Sequence, residues 1–193
     1  GIHSEDWYDV KGMSLKHPCV GLLQDANWWG KTKEMLILKN VVEELPNVNF
    51  YWAGDGKYRE RVLSVLDKFD NFHWLKRLDY PNQVRQYLTE IDIYALITGM
   101  DLEPRTLNEA QLMRKAIIAT KVGGIPEFLI DEKSGFLVRE GNYQDIIEKI
   151  QIFLNDRDRA IQMGKHAQTY VKENLKWEKI AKKFLNIAEK YMK

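Results

Sequence analysis

Two acids, Asp101 and Glu109, stand eight residues apart in the stretch DLEPRTLNEAQLMRKAIIATKVGGIPEF. Pro104, Arg105, Thr106 and Leu107 lie between them, and the spacing predicts a short helix of about ten residues beginning near Arg105. A carboxylate accepts hydrogen bonds from two vicinal hydroxyls, as a ribose presents them. The unpaired amides at a helix start, here those of Arg105, Thr106 and Leu107, attract anions. An apolar strand (Ala116 to Ala119) and a Gly-Gly-Ile-Pro-Glu loop follow. Such a set of groups can hold a molecule carrying both hydroxyls and a diphosphate, and a nucleotide sugar is one. Helix capping by Asp101 and a solvated Glu109 is the plainer alternative.

Lys31 and Lys33 offer cations for a diphosphate from the loop ANWWGKTK. Beside them Trp28 and Trp29 must bury a surface or meet a partner. Gly54-Asp55-Gly56 is no dinucleotide fingerprint, because the third glycine is missing and Tyr58-Arg59 occupy the next helix start; a tight turn explains it. The four histidines are scattered, no pair shows metal-ligand spacing, and there is no Walker lysine motif or Gly-x-Ser-x-Gly elbow.

The elements that position these residues follow from apolar periodicity. Buried strands are expected at 19–24, 48–54, 71–75, 92–98, 116–120 and 135–140. Helices are expected from Lys33 to Leu45, around Tyr58 to Phe69, after Pro81, and in three C-terminal segments, 142–155, 157–173 and 176–192, with breaks at Asp156 and Asn174. Strand–helix alternation predicts an α/β, Rossmann-like parallel sheet of about six strands with helices on both faces and a helical C-terminal segment. Ligands of such sheets bind at the C-terminal strand ends.

Composition narrows the classes. The 193 residues suffice for one domain with a core, and 45% are apolar. A net charge of +1, from 29 basic and 28 acidic residues, gives no electrostatic case for nucleic acid. The single cysteine, Cys19, cannot form an internal disulfide and lies among apolar residues, which suits a core position and a reducing cytoplasm. No apolar run reaches the roughly 18 residues of a membrane span, and no signal peptide is legible.

Taken together these segments resemble the C-terminal, nucleotide-sugar-binding domain of family 4 (group 1) glycosyltransferases of GT-B architecture. Val20-Gly21-Leu22-Leu23 is similar to the family's first strand, Ala53 to Gly56 to its Ala-Gly-Asp-Gly, and Asn71 to Leu78 to its third-strand segment. Asp101 to Glu109 resembles its pair of acids, Ala119 to Glu127 its Gly-Gly-x-Pro-Glu loop, and Ser134 to Val138 the strand that follows. The resemblance implies a retaining hexosyl transfer from a UDP-, GDP- or ADP-sugar, with no metal or other cofactor. Glu109 would bind ribose hydroxyls and Asp101 would sit near the sugar. Lys33, with Lys31 as runner-up, would bind the diphosphate, and Arg105, Thr106 and Leu107 would contact sugar and phosphates. The backbone near Arg77 and Leu78 would meet the base, with Gly54 beside the donor. Three departures stand out: Asp101 for a glutamate, Leu22 for an arginine, and Lys76 for a glycine near the base. They leave open a non-catalytic nucleotide-sugar-binding module, and a GT-B sugar-nucleotide epimerase relative is a further alternative. By the same resemblance, residues 1–15 are expected to be an interdomain linker and 16–174 the donor domain. Residues 175–193 would form a helix crossing to an N-terminal acceptor-binding domain that this sequence lacks, and peripheral membrane association of the full protein fits the same picture.

Overall fold

A computed structural model of the chain describes residues 2–191. Six strands form one parallel sheet: β1 (Cys19–Leu23), β2 (Asn49–Ala53), β3 (Phe72–Lys76), β4 (Ile93–Leu96), β5 (Ala116–Thr120) and β6 (Phe136–Val138). Their order is β3-β2-β1-β4-β5-β6, with the reversal between β1 and β4. The Rossmann-like expectation therefore holds, with several strand ends one or two residues shorter and β3 ending one residue later.

Both faces are covered, which is why the central strands β1, β4 and β5 are buried throughout instead of alternating. Val20, Leu22, Phe50, Trp52, Ile93 and Ile118 point to one side. There they meet α2 (Leu38–Glu44), α3 (Arg59–Leu66) and α7 (Tyr143–Asn155). Cys19, Leu23, Tyr51, Tyr94 and Ile117 point to the other. Their partners are α4 (Asn82–Glu90), α5 (Arg105–Leu112) and much of α8 (Arg157–Asn174). Cys19 is fully buried, as its apolar neighbours predict.

The segment expected as one helix from Lys33 to Leu45 is divided. A short α1 (Trp29–Thr32) runs into a 3-10 turn over Lys33–Ile37, and α2 follows. The buried side chains Thr32, Met35, Leu38 and Val41 recur every three residues, the repeat that 3-10 winding brings to one side. Glu34, also buried, accepts the Gly141 amide at 2.6 Å. A further one-turn helix, α6 (Ile125–Phe128), occupies the Gly-Gly-Ile-Pro-Glu region.

At the C-terminal end, Asn142 and Asp156 cap α7 and α8 by accepting the amides of Asp145 and Arg159. Asn174, expected as a break, stays helical, and the chain turns at Leu175. The last helix, α9 (Trp177–Tyr191), buries none of its residues and leaves Trp177, Phe184, Leu185, Ile187 and Tyr191 exposed. The Ile2 amide donates to the Leu175 carbonyl at 3.0 Å, and Trp7 is buried, edge-on to Tyr80. Gly1 of the expected linker, and Met192 and Lys193 of the expected last helix, lie outside the described residues. Among the described residues no helix is long and apolar enough to cross a membrane.

Candidate donor site at the C-terminal strand edge

The loop after β4 carries Asp101, and the glycine loop after β5 holds it in place. The Gly124 amide donates to the Asp101 carbonyl at 2.8 Å. A Cβ on Gly123 would stand 2.1 Å from the Asp101 oxygen, and one on Gly124 would stand 2.2 Å from the Leu102 oxygen. Gly123 also has φ +53°, a conformation side chains disfavour. Both glycines thus serve the acid-bearing loop by letting it approach. Thr98 and Thr120 lock the same loop from below. The Thr98 amide donates to the Thr120 hydroxyl, which donates to the Thr98 carbonyl at 2.6 Å.

Lys31 reaches this loop from α1. Its ammonium lies 2.7 Å from the Asp101 carboxylate, with the side chains 23% and 10% exposed. Its carbonyl accepts the Gly99 amide. Lys33 runs along the same loop beside Gly99, and its ammonium lies 4.0 Å from Glu140 with half of its side chain in solvent. The structure therefore joins Lys31, not Lys33, to the first acid.

Glu109 sits on α5, 6% exposed. The Tyr80 hydroxyl and the Arg105 charge lie near its carboxylate and favour its ionised form. Burial outweighs both and pushes the carboxyl up to about 7. The Tyr94 hydroxyl bonds the Thr106 hydroxyl at 2.8 Å; burial first, and then the charges of Glu109 and Asp101, oppose its ionisation. A cavity of about 210 Å³ opens over Glu109, lined also by Tyr80, Arg105, Asn108 and, from the chain's two ends, Trp7 and Trp177. The Asn108 side-chain Oδ1 is buried without a hydrogen-bond partner.

Other expected site residues fall differently. The Leu107 amide donates to the Pro104 carbonyl at 3.1 Å and its side chain is buried in the core, so it is no free donor. The helix opens with Arg105 and Thr106. Gly54 is packed between strand ends: its amide donates to the Lys76 carbonyl and its carbonyl accepts the Trp74 indole. A Cβ there would stand 2.0 Å from the Gln24 oxygen. Lys76 has φ +61°, Arg77 is exposed, and Leu78 packs against the core. Leu22 is fully buried in the core, away from the cleft. Trp29 packs on Tyr58 and under Arg61, whereas Trp28 is exposed. The contact of Tyr80 with Glu109 had no sequence signal, since the two residues lie on separate elements 29 positions apart.

The arrangement as a whole matches known proteins. Trehalose synthase of Pyrococcus horikoshii is 33% identical over 170 residues, which is 83% of this chain and 40% of the relative. The chain spans less than half the length of the curated relatives it matches. Sucrose-phosphate synthase from Thermosynechococcus elongatus shares the fold with a TM-score of 0.85 at 18% identity, over 100% of this chain and 51% of that one. The HepE protein of Anabaena, solved in complex with UDP-glucose, does so with a TM-score of 0.73 at 21% identity, over 90% of this chain and 49% of its own. The family model "Glycosyl transferases group 1" matches residues 32–170, and the chain belongs to that family.

Proposed function

We propose that this chain forms the donor-binding half of a cytoplasmic glycosyltransferase that moves a hexosyl group, with retention, from a nucleoside diphosphate to an acceptor. The observation that carries the reading is Glu109, a buried carboxylate at the floor of a cavity on the C-terminal strand edge. A carboxylate kept there at a cost in solvation is suited to accept two ribose hydroxyls, which would displace the Tyr80 hydroxyl. Lys31, Arg105 and the start of α5 supply positive charge for the departing diphosphate. Asp101, paired with Lys31, would meet the sugar. The HepE complex supports a UDP-linked donor in this shared fold. The greater length of the relatives supports an acceptor-binding half elsewhere in the whole protein. The exposed apolar side of α9 is a fitting contact for it.

The test is calorimetric titration of UDP-, GDP- and ADP-sugars into the chain and into Glu109→Gln. Loss of a charged hydrogen-bond partner should weaken binding about tenfold or more. Unchanged affinity removes Glu109 from the donor site. A non-catalytic binding module is the second reading, carried by the buried Leu22 where the family places an arginine. It requires donor binding without transfer or donor hydrolysis in the full-length protein.

A further inference from the structure

The opposite edge of the sheet holds a second constellation. Strands β1 and β4 pair in parallel with Val20 beside Ile93, so Cys19 and Asp92, one residue earlier on each, are neighbours. The Cys19 amide extends the ladder by donating to the Asp92 carboxylate at 2.8 Å. His17 is two residues before Cys19 and falls on the same side. Its Nδ1 lies 2.7 Å from Asp92 Oδ2 and 3.7 Å from Cys19 Sγ. The three ligand atoms lie within 4.8 Å of one another. The other ring nitrogen, Nε2, bonds Glu90 at 2.9 Å. Of the three cations that line this edge, Arg114 pairs with Asp9, Lys115 donates to the carbonyls of Thr89 and Ile91 at 2.7 and 2.9 Å, and Arg157 lies at the start of α8. A cavity of about 790 Å³ opens on this edge, bounded by His17, Glu90 and Asp92.

We propose that His17 Nδ1, Cys19 Sγ and Asp92 Oδ2 form a site for a borderline divalent transition cation, Zn²⁺ foremost, independent of the donor site. A nitrogen, a sulfur and an oxygen make a zinc donor set; the Nδ1–Sγ separation is close to a tetrahedral edge, the Nδ1–Oδ2 hydrogen bond would open by about half an ångström to admit the cation, and a water from the cavity would complete the fourth corner. The Glu90–His17 contact is the outer carboxylate that orients and strengthens a ligating imidazole. The donor set of thiolate, imidazole and carboxylate selects against Mg²⁺ and Ca²⁺. On binding, metal–nitrogen, metal–sulfur and metal–oxygen bonds form. The His17 Nδ1 proton and the Cys19 thiol proton leave to solvent, and no electron moves. The cation would pin the chain before β1 to the start of β4.

Titration of the metal-free 193-residue chain with Co²⁺ and Zn²⁺ tests this. Cys19 is the only cysteine, so a thiolate-to-cobalt absorption band reports on one atom. One equivalent of Co²⁺ should raise that band, and Zn²⁺ should bleach it. His17→Ala and Asp92→Asn should each weaken Zn²⁺ binding at least about tenfold, and Glu90→Gln by roughly 10–100-fold. Cys19→Ser should abolish the band. His17 and Asp92 are partly exposed, so their variants test the site even if the buried Cys19 variant misfolds by circular dichroism. Absence of the band, or Zn²⁺ affinity unchanged in both His17→Ala and Asp92→Asn, overturns the proposal.

Discussion

At the C-terminal edge of the sheet, Lys31, Asp101, Arg105 and Glu109 stand on two short helices and one loop; at the N-terminal edge, His17, Glu90, Asp92 and Lys115 flank the strands themselves. The charges are of the same kinds and their treatment differs. At the N-terminal edge both nitrogens of His17 meet carboxylates and the Lys115 ammonium meets two carbonyls. At the C-terminal edge Glu109 has a tyrosine hydroxyl and a nearby arginine, and burial still prevails over both. Strand register builds the first set and loop packing builds the second. A group that is costly to the fold is a group the fold keeps for another purpose, so the donor edge is where stability and binding should oppose each other.

The largest effect should come from the packing that builds the donor edge. In Gly123→Val the new Cβ would meet the Asp101 carbonyl oxygen, and φ +53° strains any side chain. We expect a loss of roughly 2–4 kcal/mol in urea unfolding, with donor binding lost as Asp101 moves. The N-terminal edge shares none of these contacts, so Zn²⁺ affinity should persist in the variant while it remains folded. Equal damage at both edges would mean that the two are not separately built.

Glu109→Gln sharpens the contrast next. The folded carboxyl titrates near 7 against 4.5 for the free side chain. A raised folded value means that the stabilising contribution is fully present below the unfolded value and is lost as pH rises through the folded one. Wild type and variant should therefore be about equally stable at pH 4. At pH 8 the glutamine variant should be the more stable by on the order of 3 kcal/mol, the shift converted at 1.36 kcal/mol per unit. Nucleotide binding should fall in the same variant. A stability difference independent of pH would show that burial does not hold the proton.

Lys31 and Lys33 then separate a site cation from a surface one. Lys31→Ala leaves Asp101 nearly buried without its partner and should cost roughly 1–3 kcal/mol, between the values for exposed and buried pairs. Lys33→Ala should change stability by no more than about 0.5 kcal/mol, since its pair with Glu140 is long and exposed. If Lys31 also serves the diphosphate, its loss should weaken nucleoside diphosphate more than nucleoside. Equal weakening of both ligands would assign Lys31 a structural role alone.

How far the sequence revealed these two edges follows from the range of the contacts. Six strands and their alternation with helices were legible because each apolar run is local. The acids, the glycine loop and the helix start were legible because they lie within 28 residues of one another. Periodicity could not divide the helix at Lys33, where a three-residue burial repeat and the Glu34–Gly141 contact fix the winding. Nor could it find Tyr80 beside Glu109, or Leu107 turned into the core. The His17–Cys19–Asp92 group was invisible to any spacing rule. Asp92 lies 73 residues beyond Cys19, and only the β1–β4 register joins them.

The smallest expected effect compares one strained residue from each edge. Lys76 ends β3 at φ +61°, and Arg114 precedes β5 at φ +56°. A non-glycine residue in this region costs about 1–2 kcal/mol, and glycine returns part of that through the freer unfolded chain. The Lys76 side chain is exposed, so Lys76→Gly should gain about 0.5 kcal/mol in urea unfolding. Arg114→Gly removes the same strain together with the ion pair to Asp9, and should come out near zero. Strain kept without an offsetting contact is characteristic of a binding surface. Lys76→Gly should therefore also weaken the nucleotide if Lys76 meets it, while Arg114→Gly leaves the nucleotide untouched. A Lys76→Gly variant that gains stability and binds as before would show that the lysine is tolerated there and not used.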